Sequence, residues 1–267
     1  MESPSWLLQQ GRLEDALQAR NLLGLADDPS YTADNAHASD KFTFSQYAGK
    51  IRRFFTDPGV IRACLSVAIL RIVMALSGLP NIQIYTMDIL LQTGMKPEIA
   101  GGVSVGINTI PVLGGLVGIA FIQRCGRRIA YFTSAVGMIV CLLVFVILGV
   151  WGELSGIMYA RIVPLVAFGF FASAGVYPVT VGLPAEWIPI EYRSICLGVL
   201  LAMEMIVAFL SGFVFPPILL AIGQYVFLVH AGVLALATLY GYLRIIEVKD
   251  KTENEIYEMF SSRKHWV

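Results

Sequence analysis

The chain has 267 residues and a formal net charge of zero; 57% of its residues are hydrophobic and only 14% are charged. A soluble domain of this size carries about 25% charged residues, so the composition excludes an ordinary soluble protein. The neutral charge gives no indication of a nucleic-acid partner. Residues 1–62 and 244–267 are polar, whereas the residues between them are apolar with short charged interruptions. This pattern predicts a polytopic membrane protein, with the lipid bilayer as its surroundings.

The N-terminal stretch MESPSWLLQQGRLEDALQARN mixes apolar and charged residues, which predicts a soluble amphipathic helix rather than a signal peptide. Residues 25–45 are polar and contain helix breakers, so we expect a short flexible connection there. The predicted organisation is a cytosolic helical and linker segment over residues 1–60, a six-helix transmembrane bundle over 61–244, and a cytosolic tail over 245–267.

A membrane-spanning helix needs about 20 apolar residues to cross about 30 Å of hydrocarbon. Six stretches meet this requirement, at roughly 62–92, 99–122, 129–151, 156–183, 195–220 and 224–243. The first and fourth are long enough to tilt or break, and each contains a proline, Pro80 and Pro178, that can break it. The fold class predicted is therefore an all-α membrane protein with a six-helix bundle.

The positions of lysine and arginine predict the orientation of the bundle. With six spans and a cytosolic N-terminus, the outside receives only Lys96 and Arg161, and Arg71 lies inside the membrane. The cytosolic side receives the remaining basic residues: Arg12, Arg20, Lys41, Lys50, Arg52, Arg53, Arg62, Arg124, Arg127, Arg128, Arg193, Arg244, Lys249, Lys251, Arg263 and Lys264. This asymmetry follows the positive-inside bias, so both termini are expected in the cytosol.

Neither the cysteines nor the histidines indicate catalysis or metal binding. The cysteines lie far apart along the chain without metal-ligand spacing, which favours small apolar core residues over disulfides; they are Cys64, Cys125, Cys141 and Cys196. His37, His230 and His265 are scattered, and no Ser, His and Asp residues converge at one membrane depth. The chain is therefore not expected to be an enzyme, and we predict no cofactor or metal.

Two charged residues lie deep within predicted spans. Arg71 follows Arg62 by nine residues, about 14 Å of helix, which makes snorkelling to the interface unfavourable. Glu204 lies within LLAMEMIVAFL of the fifth span. A charge at this depth costs about 2.5–3.5 kcal/mol on insertion scales. We favour cavity-facing roles for both residues, with structural pairing as the alternative.

The second span contains GGVSVGINTIPVLGGLVG, with small residues at helical spacing, which favours close helix packing over a substrate role. The connection after it, FIQRCGRRIAYF, suits a tight cytosolic hairpin turning at Gly126. Its arginines also suit charge-assisted links to carboxylates at other cytosolic helix ends.

Four motifs, in order along the chain, carry a resemblance to the sugar porter family of the major facilitator superfamily. ESPSWLLQQGRLEDALQA resembles the P-E-S-P-R-W-L-L segment after the family's sixth helix, and RCGRR resembles its D-R-x-G-R-R loop. PVTVGLPAEWIPIEYRS resembles the stretch that ends its tenth helix, and IEVKDKTENEI resembles its P-E-T-K-G-K-T tail. Within the family, the chain most resembles the trehalose-transporter-like branch of arthropods.

The resemblance implies a cytosolic gate, in which charged residues latch one helical half against the other. Glu186 and Arg193 match the family's gate residues, so the segment between the fourth and fifth spans is expected to be more than a connector. The complete predicted gate comprises Glu2, Arg124, Arg127, Arg128, Glu186, Arg193 and Glu247.

The family's sugar ligands are mostly absent from this chain. The paired glutamines fall on Met74 and Ala75, the helix-seven asparagine on Pro80, and the tryptophan of the tenth helix on Val181. The polar and charged residues that remain near the expected path are Arg71, Asn81, Gln83, Tyr85, Asn108 and Glu204. We take these six as the candidate substrate path.

The resemblance implies transport of a sugar or similar small organic solute by alternating access, in the plasma membrane. The alternative is a non-transporting sensor or regulatory membrane protein of the same fold, which the loss of sugar ligands favours. Because the family has twelve helices and this chain begins where its second half begins, we expect a C-terminal half. Its expected partners are a small sugar-like solute and either the missing N-terminal six-helix half or a second copy, and we predict that the chain alone inserts without transporting.

Overall fold

The computed structural model describes residues 13–22, 54, 56–151 and 155–245. The chain divides into two compact units, residues 1–53 and 54–267. In the first unit the described residues form one helix, α1 (Leu13–Leu22). Glu14 and Asp15 lie in its first turn, where their negative charges interact favourably with the helix dipole. The predicted flexible connection over 25–45 lies outside the described residues, and the predicted domain boundaries stay predictions.

The first span consists of two helices, α2 (Pro58–Leu76) and α3 (Leu79–Gln92). Helix α2 begins where the Asp57 carboxylate accepts hydrogen bonds from the backbone N–H groups of Gly59, at 2.9 Å, and Val60, at 3.4 Å. It ends just before Gly78, whose φ of 87° is left-handed. Pro80 follows within the first turn of α3. The break predicted at Pro80 is therefore confirmed.

The second and third spans form a hairpin of α4 (Pro97–Cys125) and α5 (Arg127–Val150). The turn between them is the single residue Gly126, which has a φ of 86°. Close packing predicted from the glycine-rich stretch is also confirmed. Gly114 and Gly118, four residues apart on one face of α4, are buried where α4 packs against the fourth span.

The fourth span contains α6 (Ser155–Ala160), α7 (Ile162–Phe171), a π-helical segment over Ala172–Val176, and α8 (Tyr177–Trp187). Pro178 is able to break this span but does not do so. The helix instead continues through it by widening to π geometry immediately before the proline. A π segment accommodates the missing N–H because the hydrogen bonds around it shift register.

The last two predicted spans correspond to α9 (Ile190–Ile222) and α10 (Val226–Arg244), joined by a 3₁₀ turn over Gly223–Tyr225. Five helical stretches of the described chain are long and apolar enough to cross a membrane, and the fifth runs from Tyr192 to Arg244. Its 53 residues would extend about 80 Å as one helix, far more than one crossing needs. The turn at Gly223 divides it, which agrees with the six spans predicted from the sequence.

The helices share one apolar core. Helix α10 packs against α5 and α2, α9 packs against α2, and α7 packs against α4 and α5. Large side chains fill the centre: Tyr131, Phe145, Phe168, Trp187 and Phe227 are all fully buried. The Phe145 and Phe227 rings meet edge to face, with their centroids 4.8 Å apart. These side chains join the third, fourth and sixth spans, and the candidate site lies along the contact of the first and fifth spans.

Candidate functional site

The two intramembrane charges form an ion pair with each other. A terminal guanidinium nitrogen of Arg71, on α2, donates to a carboxylate oxygen of Glu204, on α9. Their side chains are only 7% and 13% exposed. Pairing offsets the large cost of burying either charge alone, and it joins α2 to α9 near mid-membrane. The structure thus shows the two charges paired with each other, which was the alternative interpretation, and the cavity-facing role stays a prediction.

Two polar residues just beyond the helix break also contact α9. The side-chain amide of Asn81 donates to the Ser211 hydroxyl at 2.9 Å, and the Tyr85 hydroxyl donates to the Gly212 carbonyl at 3.0 Å. Asn81 is fully buried, and its side-chain carbonyl oxygen has no partner among the described residues. The Tyr85 ring stacks on Phe215 with centroids 5.5 Å apart. These contacts tie α3 to the fifth span.

The other two path candidates lie on exposed surfaces. Gln83, two residues after Asn81, is exposed on α3. Asn108 is exposed on α4 and donates to the Ser104 carbonyl of its own helix at 3.1 Å. The structure therefore gathers Arg71, Asn81, Tyr85 and Glu204 along the contact of the first and fifth spans. Gln83 and Asn108 lie outside this contact, on exposed helix surfaces.

The gate carboxylate pairs with the hairpin loop. Glu186, at the end of α8, accepts two hydrogen bonds on one oxygen from Arg127, at 3.0 Å from Nε and 2.7 Å from Nη2. The two side chains are 28% and 29% exposed, so the pair contributes about 1 kcal/mol or less to stability. Arg193 donates to the Ile188 carbonyl at 3.4 Å. The Arg127–Glu186 pair is a link of the kind expected between the arginines of the hairpin and a carboxylate at another helix end.

The remaining gate candidates divide between two places. Arg128 donates to the Tyr242 carbonyl at 2.9 Å and lies over the Tyr242 ring, 4.6 Å from its centroid, which ties α5 to α10. Arg124 is exposed and lines an open cavity of about 500 Å³ together with Arg128 and Tyr242. Glu2 and Glu247 lie outside the described residues.

The contacts of Arg161 and of the Cys64–Cys196 pair were not predicted from the sequence. Arg161, expected as an outside charge, is buried; it donates to the Gln224 side-chain oxygen at 2.8 Å and lies over Phe145. The Sγ atoms of Cys64 and Cys196 lie 2.9 Å apart, although these cysteines are distant in sequence. No local pattern signals such contacts, because each joins residues of different spans.

The four cysteines differ in their burial. Cys141 and Cys196 are buried core residues, whereas Cys125 is exposed and does not belong to the core. All four cysteines are free thiols in the structure. The described residues contain no group of three or more His, Cys, Asp or Glu side chains placed to hold a metal ion.

The fold and these contacts define a polytopic membrane protein, all-α over the described residues, with a broken first span and an ion pair between the hairpin of α4 and α5 and the end of α8. Its sequence matches the family "Sugar (and other) transporter" over residues 1–260, and the chain belongs to that family. Members of this family are transporters, which agrees with the expectation that the chain is not an enzyme.

Relatives of known description are sugar and polyol transporters. The chain is 29% identical to the major myo-inositol transporter IolT of Bacillus subtilis (strain 168), over 99% of the chain and 56% of that protein. It is also 29% identical to the mouse (Mus musculus) solute carrier family 2, facilitated glucose transporter member 7, over 98% of the chain and 52% of that protein. The chain thus spans about half the length of the curated relatives it matches. The arthropod branch stays a prediction.

A solved structure shares the fold. The proton:xylose symporter XylE of the major facilitator superfamily, bound to 6-bromo-6-deoxy-D-glucose, superposes with a TM-score of 0.74 and 19% identity. The alignment covers 97% of this chain and 54% of the symporter. The six spans therefore have the arrangement of about half of a major facilitator superfamily transporter.

Proposed function

We propose that the chain forms one six-helix half of a transporter for a sugar or a similar polyhydroxylated solute, working by alternating access. The observation that carries the proposal is the broken first span. Secondary transporters place solute sites near the bilayer midplane, at discontinuous helices. Here the break lies between α2 and α3, and Asn81, Gln83 and Tyr85 follow it within two turns.

The exposed amides are the proposed solute contacts. An amide offers both a donor and an acceptor, which suits a hydroxyl of a sugar or polyol. Gln83 and Asn108 are exposed, whereas Asn81 and Tyr85 already hydrogen-bond to α9. We therefore assign solute contact first to Gln83 and Asn108, and positioning of α3 to Asn81 and Tyr85. The buried pair Arg71–Glu204 joins the first span, which carries Gln83, to the fifth span.

Alternating access needs a second bundle against which the first can rock. The proposed partner is a six-helix N-terminal half or a second copy of this chain. Arg127 and Glu186, with Arg124, Arg128 and Arg193, form the proposed cytosolic gate on this side, and Glu2 and Glu247 are its further candidates. The proposed location is the plasma membrane.

The test of this function is uptake into liposomes that contain the purified chain. Labelled glucose, xylose and myo-inositol are offered, and the assembly state is measured by cross-linking in the same preparations. We expect saturable uptake in dimeric or partner-containing preparations and none by a monomer. Gln83→Ala is expected to lower uptake roughly 2- to 10-fold, the value of one lost hydrogen bond. Gln92→Ala, an exposed amide at the far end of α3, is the matched control.

The outcomes separate the proposal from its alternative. Uptake by a demonstrated monomer would contradict the need for a second bundle. Saturable solute binding without uptake in any assembly would favour the sensor or regulatory function, which the missing sugar ligands also favour. If no solute is bound and none is taken up, the proposal is contradicted.

The proposed topology has both termini and the Gly126 turn in the cytosol, because sixteen lysines and arginines then lie inside and two outside. Glycosylation acceptor sites inserted beside Lys96 are expected to be modified, and sites beside Arg127 are expected to stay unmodified. Modification of the Arg127 site but not the Lys96 site would reverse the topology.

A further inference from the structure

The break in the first span leaves a backbone carbonyl without its helical donor. Helix α2 ends at Leu76, whose carbonyl would accept from the N–H of the residue four positions later. That residue is Pro80, which has no N–H. The break lies well inside the apolar stretch Pro58–Gln92. Within a membrane span, a freed carbonyl is satisfied by a neighbouring helix, by a polar side chain or by ordered water.

A histidine of the sixth span supplies the contact. Nδ1 of His230, on α10, lies 3.0 Å from the Leu76 carbonyl oxygen. A carbonyl only accepts, so this contact is a hydrogen bond when Nδ1 carries the proton. The residue is 8% exposed, and its Nε2 has no partner among the described residues. A neutral ring with Nδ1 protonated fits this environment, because it leaves no second N–H buried without an acceptor.

The break and the histidine ring also fit each other sterically. A Cβ added to Gly78 would lie 2.8 Å from Cγ of His230, so the ring occupies the space that a side chain at this position would need. Phe215 of α9 stacks on the other side of the ring, with centroids 5.8 Å apart. Phe227 lies 6.4 Å away on α10 itself. The ring is thus fixed between the break and the fifth span.

We infer that His230 is a positioning residue that braces the break and sets the angle between α2 and α3. Through that angle it places the first two turns of α3, which carry Asn81, Gln83 and Tyr85. The brace itself depends only on the geometry of the break. Its consequence for solute transport rests on the proposed function.

The tautomer of His230 is the first test. The full chain is labelled with ¹⁵N-histidine, placed in lipid nanodiscs and observed by NMR. Its three histidines give three sets of signals, and the set missing from His230→Asn belongs to His230. We expect a protonated Nδ1 and an unprotonated Nε2, the reverse of the tautomer that free histidine prefers. A protonated Nε2 with an unprotonated Nδ1 would overturn the inference.

The second test measures the angle of the break. In a background without the native cysteines, spin labels are attached at Leu65→Cys on α2 and Ile84→Cys on α3, both exposed positions. His230→Asn keeps an N–H donor near the position of Nδ1, whereas His230→Leu removes it. We expect the distance distribution to keep its width in the first variant and to broaden roughly twofold in the second.

The two variants make the second test decisive. Equal distributions in His230→Asn and His230→Leu, both matching the parent, would overturn the brace. Broadening confined to His230→Leu would support it even if no solute is transported, because the distances are measured without a substrate. Failure of uptake together with the expected tautomer and distances would count against the proposed function alone.

Discussion

Replacing Glu204 with glutamine is expected to destabilise the bundle by about 3–5 kcal/mol, because it leaves Arg71 charged and unpaired inside the protein. The Arg71 side chain is 7% exposed, and its Nε already lacks a partner among the described residues. Neutralising the carboxylate therefore removes the one strong interaction that compensates the buried guanidinium. The measurement is reversible unfolding in mixed detergent and SDS, followed by circular dichroism.

The double variant Arg71→Leu/Glu204→Leu completes the comparison. Replacing both charges with apolar side chains of moderate size removes the burial cost together with the attraction, so most of the lost stability is expected to return. The difference between the single and double variants measures the coupling of the pair. Glu98→Gln, at an exposed position in the first turn of α4, is the control and is expected to change stability by less than about 0.5 kcal/mol.

The opposite result has a definite meaning. If Glu204→Gln unfolds like the parent, the two charges are solvated in the membrane-embedded protein and line a water-filled cavity. That would restore the cavity-facing role that we favoured from the sequence. The experiment therefore separates the two interpretations of an intramembrane charge directly.

The spans and the break were predictable because their signals are local. An apolar run of about 20 residues identifies a span without knowledge of its neighbours. Pro80, two residues after Gly78, likewise indicates a break in a helix. Pro178 does not break its span, because the same missing N–H has a second solution, the π-helical segment Ala172–Val176. Which solution a helix takes depends on the packing around it, and the sequence of one span does not contain that.

The contacts of the candidate site were harder to predict because they join distant parts of the chain. Arg71 and Glu204 are separated by 133 positions, and the sequence does not indicate that these two charges pair with each other. A link between the hairpin arginines and a carboxylate was expected, but which arginine reaches Glu186 depends on helix packing, and the structure shows that it is Arg127. His230 was dismissed as a scattered histidine. Its role becomes visible only once the freed Leu76 carbonyl is located beside it.

The glycine face of α4 gives the second large effect that we expect. Gly118→Ala is expected to destabilise the bundle by about 1–3 kcal/mol, because the added methyl overpacks a close helix contact. Its Cβ would lie 2.6 Å from the Ala174 carbonyl oxygen, which is backbone and cannot rotate away. That carbonyl belongs to the π-helical segment and lies four residues before Pro178. Moving it would therefore disturb the hydrogen bonds of the π-helical segment. Unfolding in SDS mixtures measures the change.

Gly115→Ala is the matched control, three residues earlier on the same helix. A Cβ at Gly115 has nothing within 4 Å, so the substitution keeps the packing and adds only the higher helix propensity of alanine. It is expected to be neutral or to stabilise the protein by up to about 1 kcal/mol. The two alanine substitutions should thus act in opposite directions within a single turn of α4. Equal effects of both would show that α4 and the fourth span are not in close contact in the membrane, and the packing that aligns the second, third and fourth spans would have to be different.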